Sequence, residues 1–281
     1  MSKPFVKWAG GKYRLADKLI PVMPDKFNPS KNTYIEPMAG SGGFFFKYGP
    51  KHAYLSDINQ NLITVYNVIK NNVEDLILEL KIHESGHGKT YFKKMSDEFN
   101  ETVKKKGDPL KIASLFIYLN RTCFNGLYRE NSKGEFNVPI GSYKNPIICD
   151  KTNLLSVSKI LNSVEIGCHG YDKIKPKKGD FVYFDPPYLP LEKNSFTKYS
   201  KDDFKEKDHV TLKRFCNKLD KEGILFMISN SSTDLTKEIY SDFNIREIEV
   251  MRTIAGSHDK RGLVKEVVIT NYTDFVQKEL F

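Results

Sequence analysis

The sequence predicts an α/β fold built on a largely parallel sheet. Three stretches carry that reading. Phe181-Val182-Tyr183-Phe184 is a continuous apolar and aromatic run between Asp180 and the pair Pro186-Pro187. Such a run has the composition of a short strand buried on both faces. Thr33-Tyr34-Ile35 leads into Glu36-Pro37-Met38-Ala39-Gly40-Ser41-Gly42-Gly43 and then Phe44-Phe45-Phe46, which reads as strand, glycine-rich turn and helix. Ile224 to Ile228 is another buried strand, closing on Ser229-Asn230-Ser231-Ser232.

The tip of the 181–184 strand bears the strongest chemical signal. Pro186 and Pro187 cannot donate ladder hydrogen bonds, so the strand ends at Asp185. A carboxylate at the carboxyl end of a buried parallel strand faces the crevice where open α/β sheets bind ligands. Tyr188 adds a flat ring close by. A stiff acceptor beside an aromatic plate suits a flat, amino-bearing ring such as a nucleobase. The plainer alternative is a proline-punctuated turn. If the 224–228 strand is a neighbour, its polar end lies beside Asp185.

At 281 residues the chain has material for one or two domains. It is 40% hydrophobic and 28% charged, an ordinary globular composition. The net charge of +9 fits an anionic partner such as nucleic acid; a lysine-rich composition without such a partner reads equally well. Cys123, Cys149, Cys168 and Cys216 form no Cys-x-x-Cys pair, which argues against structural zinc and a disulfide scaffold. No metal site is expected: His83 and His87 stand four apart, flanked by glycine and lacking a third ligand. Met1 to Gly11 has no apolar core of a signal peptide, and no run approaches eighteen apolar residues, so a cytoplasmic protein without membrane insertion is expected.

In chain order, Phe5-Val6-Lys7-Trp8-Ala9-Gly10-Gly11-Lys12 comes first. Gly10-Gly11 allows close backbone approach, but the spacing of a triphosphate-binding loop is absent. Leu15, Leu19 and Ile20 have helical spacing, stopped by Pro21 and Pro24. Ala53 to Asp57 reads as a strand ending in an acid, placed after the glycine turn where nucleotide-binding folds present an acceptor to ribose hydroxyls. A helix N-cap is the other reading of Asp57. Leu62 to Leu80 has one helical pattern, and Ile112 to Asn120 is an apolar helix. Lys104 to Gly107 reads as a solvated turn. Arg121 to Lys144 then mixes Arg, Lys and Asn with Phe, Leu and Tyr around a turn at Ser132-Lys133-Gly134. A β-ribbon of that composition can enter the major groove of DNA; a surface hairpin packed on its own domain is the alternative. Leu154 to Leu161 reads as a helix and Val164 to Cys168 as a strand. Leu189 to Lys207 is polar and long enough for a mobile lid. Val210, Leu212, Phe215 and Leu219 mark a helix ended by Gly223, and Ile245–Met251 with Val264–Ile269 form a final antiparallel pair. The loop between that pair, Gly256 to Gly262, suits phosphate contact or a plain solvated turn.

These motifs, in this order, resemble the Dam-type, DpnII-like DNA adenine methyltransferases: Lys-Trp-Ala-Gly-Gly-Lys at 7–12, Glu-Pro to Gly-Gly at 36–43, Asp57, Phe-Asn-Gly-Leu-Tyr-Arg at 124–129, Glu-Phe-Asn-Val-Pro at 135–139 and Asp-Pro-Pro-Tyr at 185–188. The resemblance implies a Rossmann-like, S-adenosylmethionine-dependent sheet with helices on both faces. It implies a catalytic domain at 1–62 and 164–281, and an inserted, mostly helical target-recognition domain with a β-hairpin at 63–163. It implies methyl transfer to the exocyclic amino nitrogen of a flipped adenine in double-stranded DNA, at GATC or a related short palindrome. Asp185, Pro186 and Tyr188 match its catalytic motif. Trp8, Ala9, Gly10, Lys12, Glu36, Pro37, Ala39, Gly40, Ser41, Gly42, Asp57, Ile58, Tyr171 and Asp185 match its cofactor positions. Lys7, Phe124, Asn125, Leu127, Arg129, Asn131, Asn137 and Pro139 match its DNA-contacting region. Ser142 stands where relatives commonly have arginine before Tyr-Lys, which weakens one expected DNA contact. A monomer, with a cognate restriction endonuclease as genetic partner, completes the expectation. Two other classes fit the residues less well: a DNA-binding module without turnover, and a methyltransferase acting on cytosine, RNA or protein amides.

Overall fold

A computed structural model describes residues 2–189, 204–253 and 261–273. The chain divides into two compact units: Met1–Tyr13, Ala39–Lys47 and Leu55–His169 make the first, and Arg14–Met38, Tyr48–Tyr54 and Gly170–Phe281 the second. The strands are β1 (Tyr34–Glu36), β2 (Ala53–Asp57), β3 (Val164–Cys168), β4 (Phe181–Phe184), β5 (Leu225–Ser231), β6 (Asn244–Thr253) and β7 (Arg261–Thr270), and two short helices, α1 (Ala16–Leu19) and α2 (Gly43–Tyr48), come early in the chain. They run in the order β3-β2-β1-β4-β5-β7-β6.

In the second unit β1 and β4 pair in parallel, with Tyr34 opposite Phe181 and Ile35 opposite Val182. β4 and β5 are also parallel, with Phe184 opposite Ile228. β7 runs antiparallel to β5 and to β6. All four residues of β4 are buried, as its unbroken apolar run requires. Val182 and Phe184 face a core completed by Leu212, Cys216 and Leu219 of helix α8 (Glu206–Lys221). Phe181, on the opposite face, packs on Phe27, Tyr34 and Tyr272. Asp180 is a brace: its carboxylate accepts from the Thr33 and Lys177 N–H groups at 2.9 and 2.8 Å, joining the starts of β1 and β4.

The first unit is mostly helical: α3 (Gln60–Asn71), α4 (Val73–Gly86), α5 (Lys89–Lys104), α6 (Pro109–Thr122) and α7 (Lys151–Leu161). α6 is its axis. Every residue from Ile112 to Asn120 is buried, and α3, α4 and α5 pack around it. Asp108 caps α6 by accepting from the Leu110 and Lys111 N–H groups, with Pro109 at the first helical position. The single helix expected from Leu62 to Leu80 is two. Asn72 leaves the helical region (φ −147°, ψ 43°), so the apolar stripe continues in α4 on a new axis. Periodicity read across a break looks like periodicity without one.

α7 and the β6–β7 pair are present with longer bounds than expected, and β3 has the bounds the sequence predicts. α8 begins at Glu206, so the last two residues of the expected lid are helical. Residues 190–203 of that lid and 256–260 of the later loop lie outside the described residues.

Candidate active site

The second unit holds the acidic strand tip. β4 delivers Asp185 half-buried at its carboxyl end, followed by buried Pro186. Because β5 lies alongside, the Ser229 hydroxyl donates to Asp185 Oδ1 at 3.0 Å, and Ser229 is itself 2.9 Å from the Tyr183 hydroxyl. The polar end of β5 thus stands beside Asp185, as expected. Tyr188 donates from its hydroxyl to the buried Glu266 carboxylate of β7 at 2.7 Å. Burial, together with Asp185 and Glu266 nearby, holds the Tyr188 phenol well above its ordinary value, so it stays a neutral donor. Glu36 is buried at the end of β1 and accepts from the Tyr34 hydroxyl at 2.6 Å. Tyr171 packs edge-on against Phe215 and Phe184, half in the core. Pro37 is buried directly after Glu36.

In the first unit the N-terminal motif and the glycine turn interlock. Gly40 has φ +49°, and a Cβ there would sit 2.7 Å from the Trp8 ring. A Cβ on Gly43 would meet the Tyr13 and Lys12 backbone nitrogens at 2.7 and 2.8 Å. Gly42 has φ +67°, and Gly10 turns at φ +76°. Ala39 and Ser41 are buried, Ala9 and Gly10 exposed. The Lys12 ammonium is buried and donates to the Gly10 carbonyl. Asp57 joins the same cluster: Oδ2 accepts from the Gly40 N–H and Oδ1 from the Asn59 N–H, each at 2.9 Å. Desolvation raises its pKa, opposed by the N–H groups of Asn59, Gly40 and Ile58. The N-cap of α3 is Asn59, which accepts from Leu62 N–H, so Asp57 is not the cap. The Tyr66 hydroxyl donates to the Gly40 carbonyl at 3.0 Å. Ile58 is 77% exposed directly beside Asp57.

The basic, aromatic segment after α6 belongs to this unit too. A tight turn at Phe124–Gly126 puts Asn125 at φ 55° and leaves Phe124 51% exposed. The path returns through isolated antiparallel bridges, Cys123 to Ile140 and Glu130 to Phe136, instead of a continuous ribbon. Pro139 cannot donate a ladder bond, and side chains take over the ladder's work. Asn131 closes the turn: its Oδ1 accepts from the Lys133 and Glu135 N–H groups and its Nδ2 donates to Glu135. Arg129 Nε donates to Asn137 Oδ1 at 2.9 Å, both exposed. The Phe124 N–H donates to the Pro139 carbonyl at 2.8 Å, and Leu127 is half-buried. Buried Asn120 grips the Lys7 backbone at both N–H and C=O and also donates to the Gly126 carbonyl. Lys7 Nζ lies 3.9 Å from the centre of the Tyr143 ring.

The family model for D12 class N6 adenine-specific DNA methyltransferases matches residues 8–254. The chain belongs to that family. Among its relatives, the type II methyltransferase M.MjaIII of Methanocaldococcus jannaschii is 42% identical, covering 96% of this chain and 99% of the relative. The type II methyltransferase M1.LlaDCHI of Lactococcus lactis subsp. cremoris is 40% identical over 96% of this chain and 95% of its own. The DNA adenine methylase of Escherichia coli K12 is 33% identical over 95% and 94%. The protein is therefore an adenine-specific DNA methyltransferase by family, and the family works on DNA with a methyl donor. Among the described residues no group of three His, Cys, Asp or Glu side chains is arranged to hold a metal, and no helix is long and apolar enough to cross a membrane.

Sequence reasoning passed over several groups that hold the predicted ones. Tyr66, Asn120, His209 and Glu266 each contact a motif residue from more than twenty positions away. Only Asn120 adjoined a motif in the sequence. His209, buried within α8, sat unremarked inside an amphipathic pattern.

Proposed function

We propose that this chain transfers a methyl group from S-adenosylmethionine to the exocyclic amino nitrogen of an adenine flipped out of duplex DNA, within GATC or a related short palindrome. The observation that carries the reading is Asp185, standing at the carboxyl end of a buried parallel strand and tied to Ser229 of the next one. β1 runs parallel to β4, and the chain passes from Glu36 straight into the glycine turn. The relatives named as DNA adenine methylases support adenine as the acceptor, and GATC is what the resemblance to the Dam-type enzymes implies. Residues 1–62 and 164–281 form the catalytic part on this reading, and 63–163 the part that reads DNA.

The residues of the first unit fit the methyl donor. Asp57 offers carboxylate oxygens to ribose hydroxyls, exposed Ile58 an apolar face for a base, and Trp8 an aromatic ring over the glycine turn. When bound, S-adenosylmethionine supplies an electrophilic methyl on a sulfonium. The chain's own work is to place the acceptor. An adenine amino group inside a duplex is out of reach, so the base leaves the stack. Its ring lies on Tyr188, and its two amino N–H groups donate hydrogen bonds to Asp185 and the Pro186 carbonyl; the nitrogen sheds one of those protons on gaining the methyl. Those acceptors turn the nitrogen lone pair away from the ring. Positioning and charge stabilisation then carry the catalysis of a poor nucleophile. Phe124 or Leu127 fills the gap left by the base, and Lys7, Asn125 and Arg129 with Asn137 read its neighbours.

Sequencing the modified bases of DNA from a host expressing the chain tests the whole proposal. N6-methyladenine confined to one short palindrome is the expected result. Methylcytosine, or unmodified DNA despite folded protein, would overturn it.

A further inference from the structure

The segment Asp185 to Leu189 has left the sheet, and two of its five residues lack an N–H. Backbone pairing cannot fix it, so side chains do. Ser229 holds Asp185. The Leu189 N–H donates to Asn230 Oδ1 at 3.2 Å, and the Leu189 carbonyl accepts from the Ser231 hydroxyl at 2.6 Å. Between these ends, two contacts come from further afield. His209 of α8 places Nε2 3.1 Å from the Pro187 carbonyl, and Glu266 of β7 takes the Tyr188 hydroxyl.

We propose that His209 and Glu266 are positioning residues of the methyl transfer: they fix the Pro187 carbonyl and the Tyr188 ring, and through them the plane in which the base is held. The proposal rests on the function given above. A carbonyl can only accept, so His209 carries its proton on Nε2, leaving Nδ1 facing the Tyr240 hydroxyl at 3.1 Å. Its ring is fully buried, with Phe204 edge-on at a centroid distance of 4.7 Å. Burial lowers the imidazole pKa to about 4, which keeps it a neutral donor of one fixed tautomer. Glu266 is buried opposite Ser231 in the β5–β7 ladder, so its place is set by sheet register. Neither side chain needs to touch the base. Each restrains one of two consecutive residues, and rotation of Pro187 or Tyr188 would carry the Asp185–Pro186 acceptors out of line.

The test compares variants of the full chain on a duplex containing the site mapped in host DNA. His209→Phe and Glu266→Leu remove the contacts; His209→Gln keeps an N–H donor and Glu266→Gln keeps an acceptor. Expected are a tenfold or greater fall in kcat for the first two, KM for DNA and donor within about threefold of wild type, and recovery of most of kcat in the glutamine variants. Unchanged kcat in both His209→Phe and Glu266→Leu, or glutamine variants as impaired as those two, overturns the proposal. A second measurement needs no turnover: the 13Cζ resonance of Tyr188, assigned through Tyr188→Phe, should move in Glu266→Gln, and an unmoved signal refutes the Glu266 contact. Wild-type protein that folds but methylates no adenine sinks the proposed function instead, while the resonance still reports on the contact.

Discussion

Asp185 is useful because it is held. One oxygen is tied to Ser229, so the carboxylate cannot swing away on leaving the sheet. Asp185→Ala is expected to lower kcat at least about a hundredfold, the scale set by losing one aligned electrostatic partner. Stopped single-turnover methylation measures it, and retention of full activity would remove the mechanism. Gly40 makes the converse case, in which the absence of a side chain matters. With φ at +49° and the Trp8 ring 2.7 Å from a would-be Cβ, Gly40→Ala must displace Trp8 or the turn. Donor affinity by calorimetry should fall about tenfold or more, with duplex affinity little changed. The motif residues themselves were legible in the sequence because proline and glycine constrain the backbone locally. Their partners were not: Tyr188 meets Glu266 across 78 positions, and no local pattern encodes that.

The segment from Arg121 to Lys144 shows how an excursion expected from composition can differ in form. Its composition suggests a DNA-facing ribbon, and the turn at 131–134 is where the sequence puts it. It is pinned by Asn131 and Arg129–Asn137 side-chain bonds and two bridges, without a full ladder. The exposed Arg129 guanidinium depends on Asn137 for its orientation. Asn137→Ala should lower kcat/KM on the cognate duplex by roughly fivefold to tenfold, about the 1 kcal/mol scale of one such bond, and leave the melting temperature unchanged. Competition between cognate duplex and single-base variants reads the effect, and equal loss on all sequences would assign Arg129 to phosphate instead of base. α3 and α4 teach the same point by another route. The apolar repeat continues through Asn72 although the helix does not, because burial demands the stripe and only backbone dihedrals reveal the break.

For the molecule as a whole, charge and buried histidines set how it responds to conditions. A net charge of +9 on a DNA-binding chain makes affinity salt-dependent through counterion release. Four phosphate contacts would cost roughly a hundredfold in affinity between 50 and 200 mM salt, and a flat salt profile would show that the basic surface faces elsewhere. His83, hydrogen-bonded to Tyr91 and Ser114, and His209 are both buried, and burial lowers each pKa to about 4. In the unfolded chain each takes up a proton near its ordinary value of 6.5. Folding therefore keeps its full stability above that value and loses it as pH falls toward 4, by up to about 3 kcal/mol per histidine. Urea titrations at pH 7 and 5 should show a lower midpoint at pH 5, and His83→Phe with its hydroxyl partners replaced should shrink the difference by roughly half, leaving the share of His209.

What the sequence determined alone was everything that short-range chemistry dictates. The apolar runs at 181–184 and 224–228 read as buried strands, Pro186–Pro187 as a strand end, the 40–43 glycines as a turn, and Ile112–Asn120 as an apolar helix. The tertiary structure decided which distant groups hold those parts in place. Sheet order sets Ser229 beside Asp185, β7's register brings Glu266 to Tyr188, and α8 turns His209 onto a proline carbonyl. The physical reason is that hydrophobic patterning specifies a face without choosing a partner, whereas a hydrogen bond between residues dozens of positions apart exists only once packing has fixed both ends.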